Sequence, residues 1–293
     1  MIRIITDSTC DITKAEAAAL GIDIIPLTVR FGDEEFLDGV NLSHEEFYQR
    51  LEQCDELPVT SQPSPAVFED IFRKYIEKGD EILGIFISSK LSGTFQSATI
   101  AATLISDEYS NAKIELIDSK SVAIGISLLI REAVRRRENG LFLDQLADAC
   151  RDMAEHIKVY AVAGSLKYLQ KGGRLSTSAA IAGSLLKITP VIELVDGKVA
   201  IACKARGQKS AASYIADCLE NADIVSNSTF VYGHASAYDK LACFMERTSE
   251  TTGDVNTYTG SIGCSVGTHI GPGSFGVAYL EKPAAANRKE IAC

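Results

Sequence analysis

Apolar residues recur along this chain with two periods, and the switches between them divide it into strands and helices. The run Ile82-Leu83-Gly84-Ile85-Phe86-Ile87 is almost wholly apolar and predicts a strand buried on both faces. Ala98 to Ile105 is apolar at helical spacing and predicts the helix that follows. Three more strands are predicted in the first half: Ile2 to Ile5, Ile22 to Val29 with a bend or edge at Pro26, and Lys113 to Ile117. Helices fit between them. Asp11 is placed to cap one that runs to Leu20, with Gly21 as its stop. Ser43 and Glu46 have the spacing of a capping box for one ending near Cys54, with His44 solvated in its first turn. Ser64-Pro65 opens another, to about Lys78. Val122 to Arg137 ends in three arginines, which suit a helix C-terminus, before Gly140.

Strand and helix alternate in this way through residue 140, which predicts an α/β layer with a mostly parallel sheet. A helix from Leu143 to His156 leads into a second unit. Its predicted elements are a strand Val159 to Ala163, a short helix Ser165 to Gln170 stopped by Gly172-Gly173, and a small-residue helix Thr177 to Leu186. A hairpin follows, Val191 to Val195 and Lys198 to Cys203 about the turn Asp196-Gly197, and then a helix Gln208 to Leu219. A strand Thr229 to Gly233, a helix Tyr238 to Arg247 and a strand Val277 to Leu280 complete it. The expected fold class is α/β with two α/β domains, each with its own core: residues 1–157 with a mostly parallel sheet and residues 158–283 with a mixed one. Residues 284–293 read as a disordered tail.

Three of the first-half strands end in hydroxyls or carboxylates: Thr6-Asp7-Ser8, Ser88-Ser89 and Asp118-Ser119. Ligands of open parallel sheets bind beyond the carboxyl ends of the strands, so the three ends together predict a polar ligand site. The richest of them, Ser88-Ser89-Lys90-Leu91-Ser92-Gly93-Thr94, joins a strand to a helix N-terminus, a place suited to a phosphate or a carboxylate or simply to a helix cap. Farther on, Gly260 to Gly276 holds six glycines in seventeen positions around His269. It reads as a loop with backbone close to a ligand or in left-handed turns, and His269 is open to a structural or a binding role.

Composition narrows the partners. A net charge of −10 argues against nucleic acid and anionic membrane surfaces. The eight cysteines are scattered without a Cys-x-x-Cys pair, and the start of the chain lacks the apolar core of a signal peptide, so a reduced, cytoplasmic protein with buried thiols is expected. No apolar run approaches the roughly 20 residues that span a bilayer, which argues against an integral membrane protein. No spacing of ligands suggests a metal.

Seven short motifs taken together resemble the signature of one family. They are Thr6-Asp7-Ser8-Thr9, Thr60-Ser61-Gln62-Pro63, Ser88 to Thr94, Asp118-Ser119, Lys171-Gly172-Gly173-Arg174, Leu185-Leu186-Lys187-Ile188 and Thr268-His269 followed by Gly271-Pro272-Gly273. Their order from residue 6 to residue 276 is similar to that of the DegV family, bacterial fatty-acid-binding proteins that include the lipid-carrying subunit of fatty acid kinase. Thr189 departs from the Lys usual before Pro190. The resemblance implies two α/β domains with an acyl chain buried between them. It implies a long-chain fatty acid such as palmitate, stearate or oleate, its carboxylate held by the Thr60 and Ser92 hydroxyls and His269, with Ser61, Gly93 and Thr94 among the ligand-binding residues. It also implies no cofactor and no catalytic residue in this chain, and a separate kinase subunit that makes acyl phosphate for phospholipid synthesis, docked through Arg206 after the hairpin.

The energetics suit a lipid. Each buried methylene contributes about 0.8 kcal/mol, so some fifteen give roughly 12 kcal/mol gross, much of it lost to ordering, while the head needs only a few donors. Two other readings use the same residues. One is a serine acyl hydrolase with Ser92 as nucleophile, His269 as base and Asp7 or Asp118 as orienter, although no Gly-x-Ser-x-Gly elbow surrounds Ser92. The other is a phosphate or nucleotide binder at the Ser88–Thr94 turn, although no Walker motif is present.

Overall fold

The buried runs of the first half assemble as the periodicity predicts. In the computed structural model, which describes residues 1–175, 188–252 and 256–283, the first half contains β1 (Ile2–Asp7), α1 (Lys14–Leu20), β2 (Ile22–Ile25), β3 (Thr28–Phe31), β4 (Glu34–Leu37), α2 (His44–Gln53) and β5 (Val59–Ser61). It continues with α3 (Pro65–Ile76), β6 (Glu81–Phe86), α4 (Thr94–Glu108), β7 (Ile114–Asp118), α5 (Ile124–Glu138) and α6 (Leu143–His156). The second half contains β8 (Ile157–Val162), α7 (Leu166–Lys171), β9 (Thr189–Val195), β10 (Lys198–Ala205), α8 (Gln208–Glu220), β11 (Phe230–His234), α9 (Tyr238–Thr252), β12 (Thr257–Ser261), α10 (Cys264–Ile270) and β13 (Phe275–Leu280). The predicted helix Thr177 to Leu186, the motif residues Leu185, Leu186 and Lys187, and the tail 284–293 lie outside the described residues.

The molecule is α/β with one parallel and one mixed sheet. β2-β1-β6-β7 form the parallel sheet, with every pairing parallel. β10-β9-β8-β13-β11-β12 form the mixed sheet, antiparallel except where β12 joins β11. A third, antiparallel sheet β4-β3-β5 brings Thr60 beside Val29. The expected division at 157/158 falls at the first residue of β8.

Between the two large sheets lies α5, in contact with β6 of one and β8, β11 and β13 of the other. Sandwiched in this way it is buried nearly all round, including Ile124, Leu128, Leu129 and Ile130, where a surface helix would bury one stripe. The largest apolar cluster accordingly runs through both sheets, from Ile4 and Leu83 to Val231 and Ala278, while each half also has an apolar cluster of its own, about Phe68, Phe72 and Phe86 in the first and about Phe230, Phe244 and Val277 in the second.

Three local expectations are corrected. Ile22 to Val29 is two strands in different sheets, because Pro26 cannot donate to a ladder and the chain turns there. Asp11 does not cap α1: Thr13 does, in a capping box with Glu16, while Asp11 takes a left-handed conformation at φ 55°. Gly260 to Gly276 is not one loop, since α10 forms within it. Cys10, Cys150, Cys218 and Cys264 are free and buried.

One buried acid joins the halves. Glu132 on α5 is 1% exposed and accepts hydrogen bonds from Arg135 (2.7 Å), Arg136 (2.6 Å) and, just before β11, the Thr229 hydroxyl (2.8 Å). Burial pushes its carboxyl up, yet these donors hold it below the usual carboxylate value. Glu132→Ala leaves the buried Thr229 hydroxyl and two guanidinium groups without their acceptor. Chemical denaturation of this variant is expected to show a loss of about 2 kcal/mol. A loss indistinguishable from that of a surface substitution would show that the contact contributes nothing to stability.

Candidate functional site

The carboxyl end of the parallel sheet opens onto a cavity of about 400 Å³ between the two large sheets. This lies within the usual range of small-molecule sites. Apolar side chains line most of it: Leu27, Ile87 and Ile124 from the parallel-sheet half, and Val159, Ile192 and Phe275 from the mixed sheet. Polar groups gather at one end, where Thr60, Ser61, Gln62, Ser92, Gly93, Arg174 and His269 line it, with Ser61 and Gln62 exposed at the rim.

Each polar residue is held in place by its neighbours. The Thr60 hydroxyl on β5 lies 2.9 Å from Nε2 of His269 in the last turn of α10. Nδ1 of that imidazole is enclosed and has no hydrogen-bond partner among the described residues. Gly172 makes room for the ring, since a Cβ there would fall 2.2 Å from Nδ1. Gly93 likewise lets the Gln62 side chain cross over it, because a Cβ would fall 2.1 Å from Oε1. The Ser92 hydroxyl accepts the backbone N–H of Thr94 (3.3 Å) and lies 2.9 Å from the Thr94 hydroxyl. Thr94 is fully buried and sits behind Ser92 without lining the cavity.

The helix that carries His269 is anchored from the other half of the molecule. Asp38, 3% exposed, accepts the backbone N–H groups of Cys264 (3.0 Å) and Ser265 (3.1 Å) at the start of α10, and the Ser8 hydroxyl at 3.0 Å. Asp11 accepts the N–H of Gly263 at 2.8 Å. His44, expected to be solvated, is half-buried against this corner: a Cβ on Gly263 would fall 3.1 Å from its Nε2.

The hydrolase candidates are not assembled into a triad among the described residues. His269 bonds Thr60, and Ser92 bonds Thr94. The Asp7 carboxylate is taken by Thr9 N–H (2.9 Å) and hydroxyl (2.5 Å) and by Ile87 N–H (2.8 Å). Asp118 accepts from Ser89 and from the N–H of Lys120. Asp7 therefore ties the ends of β1 and β6 together, which accounts physically for an acid at that motif position. Arg206 is exposed just after β10, away from the cavity lining.

Comparison with known proteins gives the family. The DegV model, described as a family of uncharacterised proteins, matches residues 1–282. The chain belongs to the DegV family. DegV domain-containing proteins of Clostridium acetobutylicum and Clostridium perfringens are 33% and 32% identical to it, each over 96% of this chain and 99% of the relative. Among solved structures, a DegV protein of Thermus thermophilus described for its fatty acid binding superposes with a TM-score of 0.86 at 27% identity, covering 96% of this chain and 99% of that one. A stearic-acid-binding protein of Eubacterium ventriosum superposes with a TM-score of 0.86 at 29% identity, covering 96% and 98%. DegV of Bacillus subtilis, described as a fatty acid binding protein, superposes with 0.84 at 28%, covering 96% and 99%.

In this DegV protein, Arg174 was visible in the sequence only as part of a motif, yet it brings a cation to the polar end. Its guanidinium donates to the carbonyls of Leu91 (3.3 Å) and Gly172 (2.5 Å). Asp38 and Asp11, which hold α10, gave no sequence signal for that task because their partners lie more than two hundred residues away. Burial, with the Arg174 charge adding to it, pushes the His269 imidazole down to about 4. The ring is therefore neutral at pH 7, whereas an unfolded histidine titrates near 6.5. Between those values the unfolded chain binds a proton that the native one does not, so this residue's contribution to stability falls as pH drops from about 6.5 to about 4. An anion placed against the ring reverses the effect of Arg174. NMR titration is expected to place His269 near 4 in the empty protein, and clearly higher once a fatty carboxylate, but not a fatty alcohol, is added.

Proposed function

We propose that this DegV protein binds one long-chain fatty acid, such as palmitate, stearate or oleate, with the chain in the apolar length of the cavity and the carboxylate at its polar end. The observation that carries the reading is this polarity gradient: apolar walls along the cavity, and Thr60, Ser92, Arg174 and His269 gathered at one end. Burial of the chain supplies affinity and the polar groups fix the head.

The hydrogen bonds suggest how each group acts. With Nε2 protonated, His269 donates to the Thr60 hydroxyl, whose own proton is then free for the carboxylate; this leaves the enclosed Nδ1 as a bare lone pair. The Thr94 hydroxyl donates to Ser92 in the same way, freeing the Ser92 proton. Thr60 and Ser92 are thus the direct donors, with His269 and Thr94 setting their direction and Ser61 and Gly93 shaping the rim. Arg174 favours the ionised acid. No nucleophile is called on, and the chain acts as a carrier in the cytoplasm. A carboxylate near the exposed rim is placed for a separate ATP-dependent kinase subunit, on which the carboxylate oxygen attacks the terminal phosphorus and ADP departs. Arg206 is the residue we assign to docking that subunit, since a guanidinium pairs bidentately with a partner carboxylate. The division into domains 1–157 and 158–283 belongs to the same reading, with the ligand between them.

Native mass spectrometry of the purified protein is expected to show one fatty acid per chain. Ser92→Ala removes one charge-assisted bond, worth about 1.5–3 kcal/mol, and should weaken acid binding by about ten- to a hundredfold while leaving a fatty alcohol of equal length little changed. Turnover of an acyl ester by the wild-type protein alone would instead favour the hydrolase reading. For Arg206→Ala, calorimetry should give unchanged lipid affinity while ATP consumption with the cognate kinase slows. Loss of both would put Arg206 in the fold or the lipid site, and loss of neither would make it ordinary surface.

A further inference from the structure

The floor of the cavity is a row of directly paired residues that crosses the mixed sheet. Ile192 on β9 pairs with Ala161 on β8, Ala161 with Gly276 on β13, Gly276 with Gly233 on β11, and Gly233 with Gly260 on β12. Directly opposed residues share a face, so from Ala161 to Gly260 the row is a groove with nothing larger than a methyl group in it. Strands lie about 4.8 Å apart, which makes the stretch from Ile192 to Gly233 roughly 14 Å long. These four residues line the main cavity.

Gly260, next in the row, does not line it. It borders a separate cavity of about 10 Å³ with Asp11, Ser127 and Arg131, room for about one water molecule. Two residues line both cavities, Ile124 and Ile262, and they are 4% and 5% exposed. The Ile124 Cγ2 lies 2.4 Å, and the Ile262 Cδ1 3.1 Å, from where a Cβ on Gly233 would stand. The space that Gly233 leaves in the groove is therefore filled by the Ile124 methyl. Ile262 lies two residues before the start of α10 and seven before His269, on the order of 10 Å even if counted at the compact helical rise, so this plug stands away from the polar end.

The backbone at the plug is strained. Ala123, just before it, has φ 55° and ψ −124°, a conformation that residues with a Cβ rarely adopt, and its N–H is held by the Thr9 carbonyl at 2.9 Å. Beyond the plug the surroundings turn polar, with one oxygen of Asp11 enclosed and without a partner among the described residues. An acyl chain end would gain nothing there.

We propose that Ile124, backed by Ile262, is the stop that sets the longest acyl chain this protein accepts, by closing a groove that the sheet itself continues to β12. The inference rests on the fatty-acid reading above. The test is the dissociation constant of each saturated acid from tetradecanoic to eicosanoic for wild type, Ile124→Ala and Ile124→Phe. In wild type the affinity should rise by up to about fourfold per methylene, the equivalent of about 0.8 kcal/mol, to a maximum and then fall. Ile124→Ala should move that maximum to longer acids by one or two methylenes, and Ile124→Phe should move it to shorter ones. Should Ile124→Ala fail to fold, Ile124→Val carries the same expectation at smaller size. Maxima that stay in place in folded variants that still bind would overturn the stop and leave the binding function standing. A wild type that binds no acid of any length would overturn both.

Discussion

Asp38 and Asp11 reach from the parallel-sheet half of the molecule to the first residues of α10, and the geometry of the cavity mouth follows from that contact. Burying carboxylates is costly unless donors meet them, and here the donors are the backbone N–H groups of residues 263 to 265, which a helix start leaves without partners. The same contact fixes where the last turn of α10 ends. His269 reaches Thr60, on a strand more than two hundred residues earlier, only because α10 is pinned at its other end. Site geometry and the joining of the two halves are thus one contact seen from two sides.

Small residues do as much of the shaping as large ones. Gly172 leaves the place that the imidazole ring takes, Gly93 the place that Gln62 takes, and Gly233 the place that Ile124 takes. In each case a glycine on one element and a bulky side chain on another form a pair, and a methyl group on the glycine would displace the partner first. The glycines of the Lys171-Gly172-Gly173-Arg174 motif divide the work: Gly172 provides space beside the ring, while Gly173 provides a left-handed turn at φ 68°.

Much of this was legible in the sequence where the signal is local. The fully apolar run at Ile82, the Pro65 start of α3 and the Asp196-Gly197 hairpin formed as their patterns required, because each is decided by neighbours along the chain. The hydroxyl-bearing strand ends converge because parallel strands must share a carboxyl edge, although Asp7 turned out to brace that edge from within. The failures fall where tertiary contacts override local preference. Asp11 has the look of a helix cap but is drawn to Gly263, and a stretch of six glycines still forms α10 because buried acids stabilise its first turn. Ile124 resembled any other apolar helix residue. Nothing in its neighbourhood along the chain reveals that it faces a glycine on β11.

The hairpin β9–β10 extends past its pairing with β8, and this free end forms a roof. Leu194 and Val199, paired with each other, cover the cavity beyond the last contact with β8 at Glu193. The tip is fastened to the parallel-sheet half by the fully buried Ser88 hydroxyl, which donates to the Gly197 carbonyl at 2.8 Å, and a bridge from Leu175 meets Val199. Local opening of so short a projection breaks few bonds and is far less costly than unfolding the sheet. For an acyl chain bound as proposed, the cavity walls would set the strength of binding at equilibrium, while the fastening at Ser88 would bear on the rate of exchange.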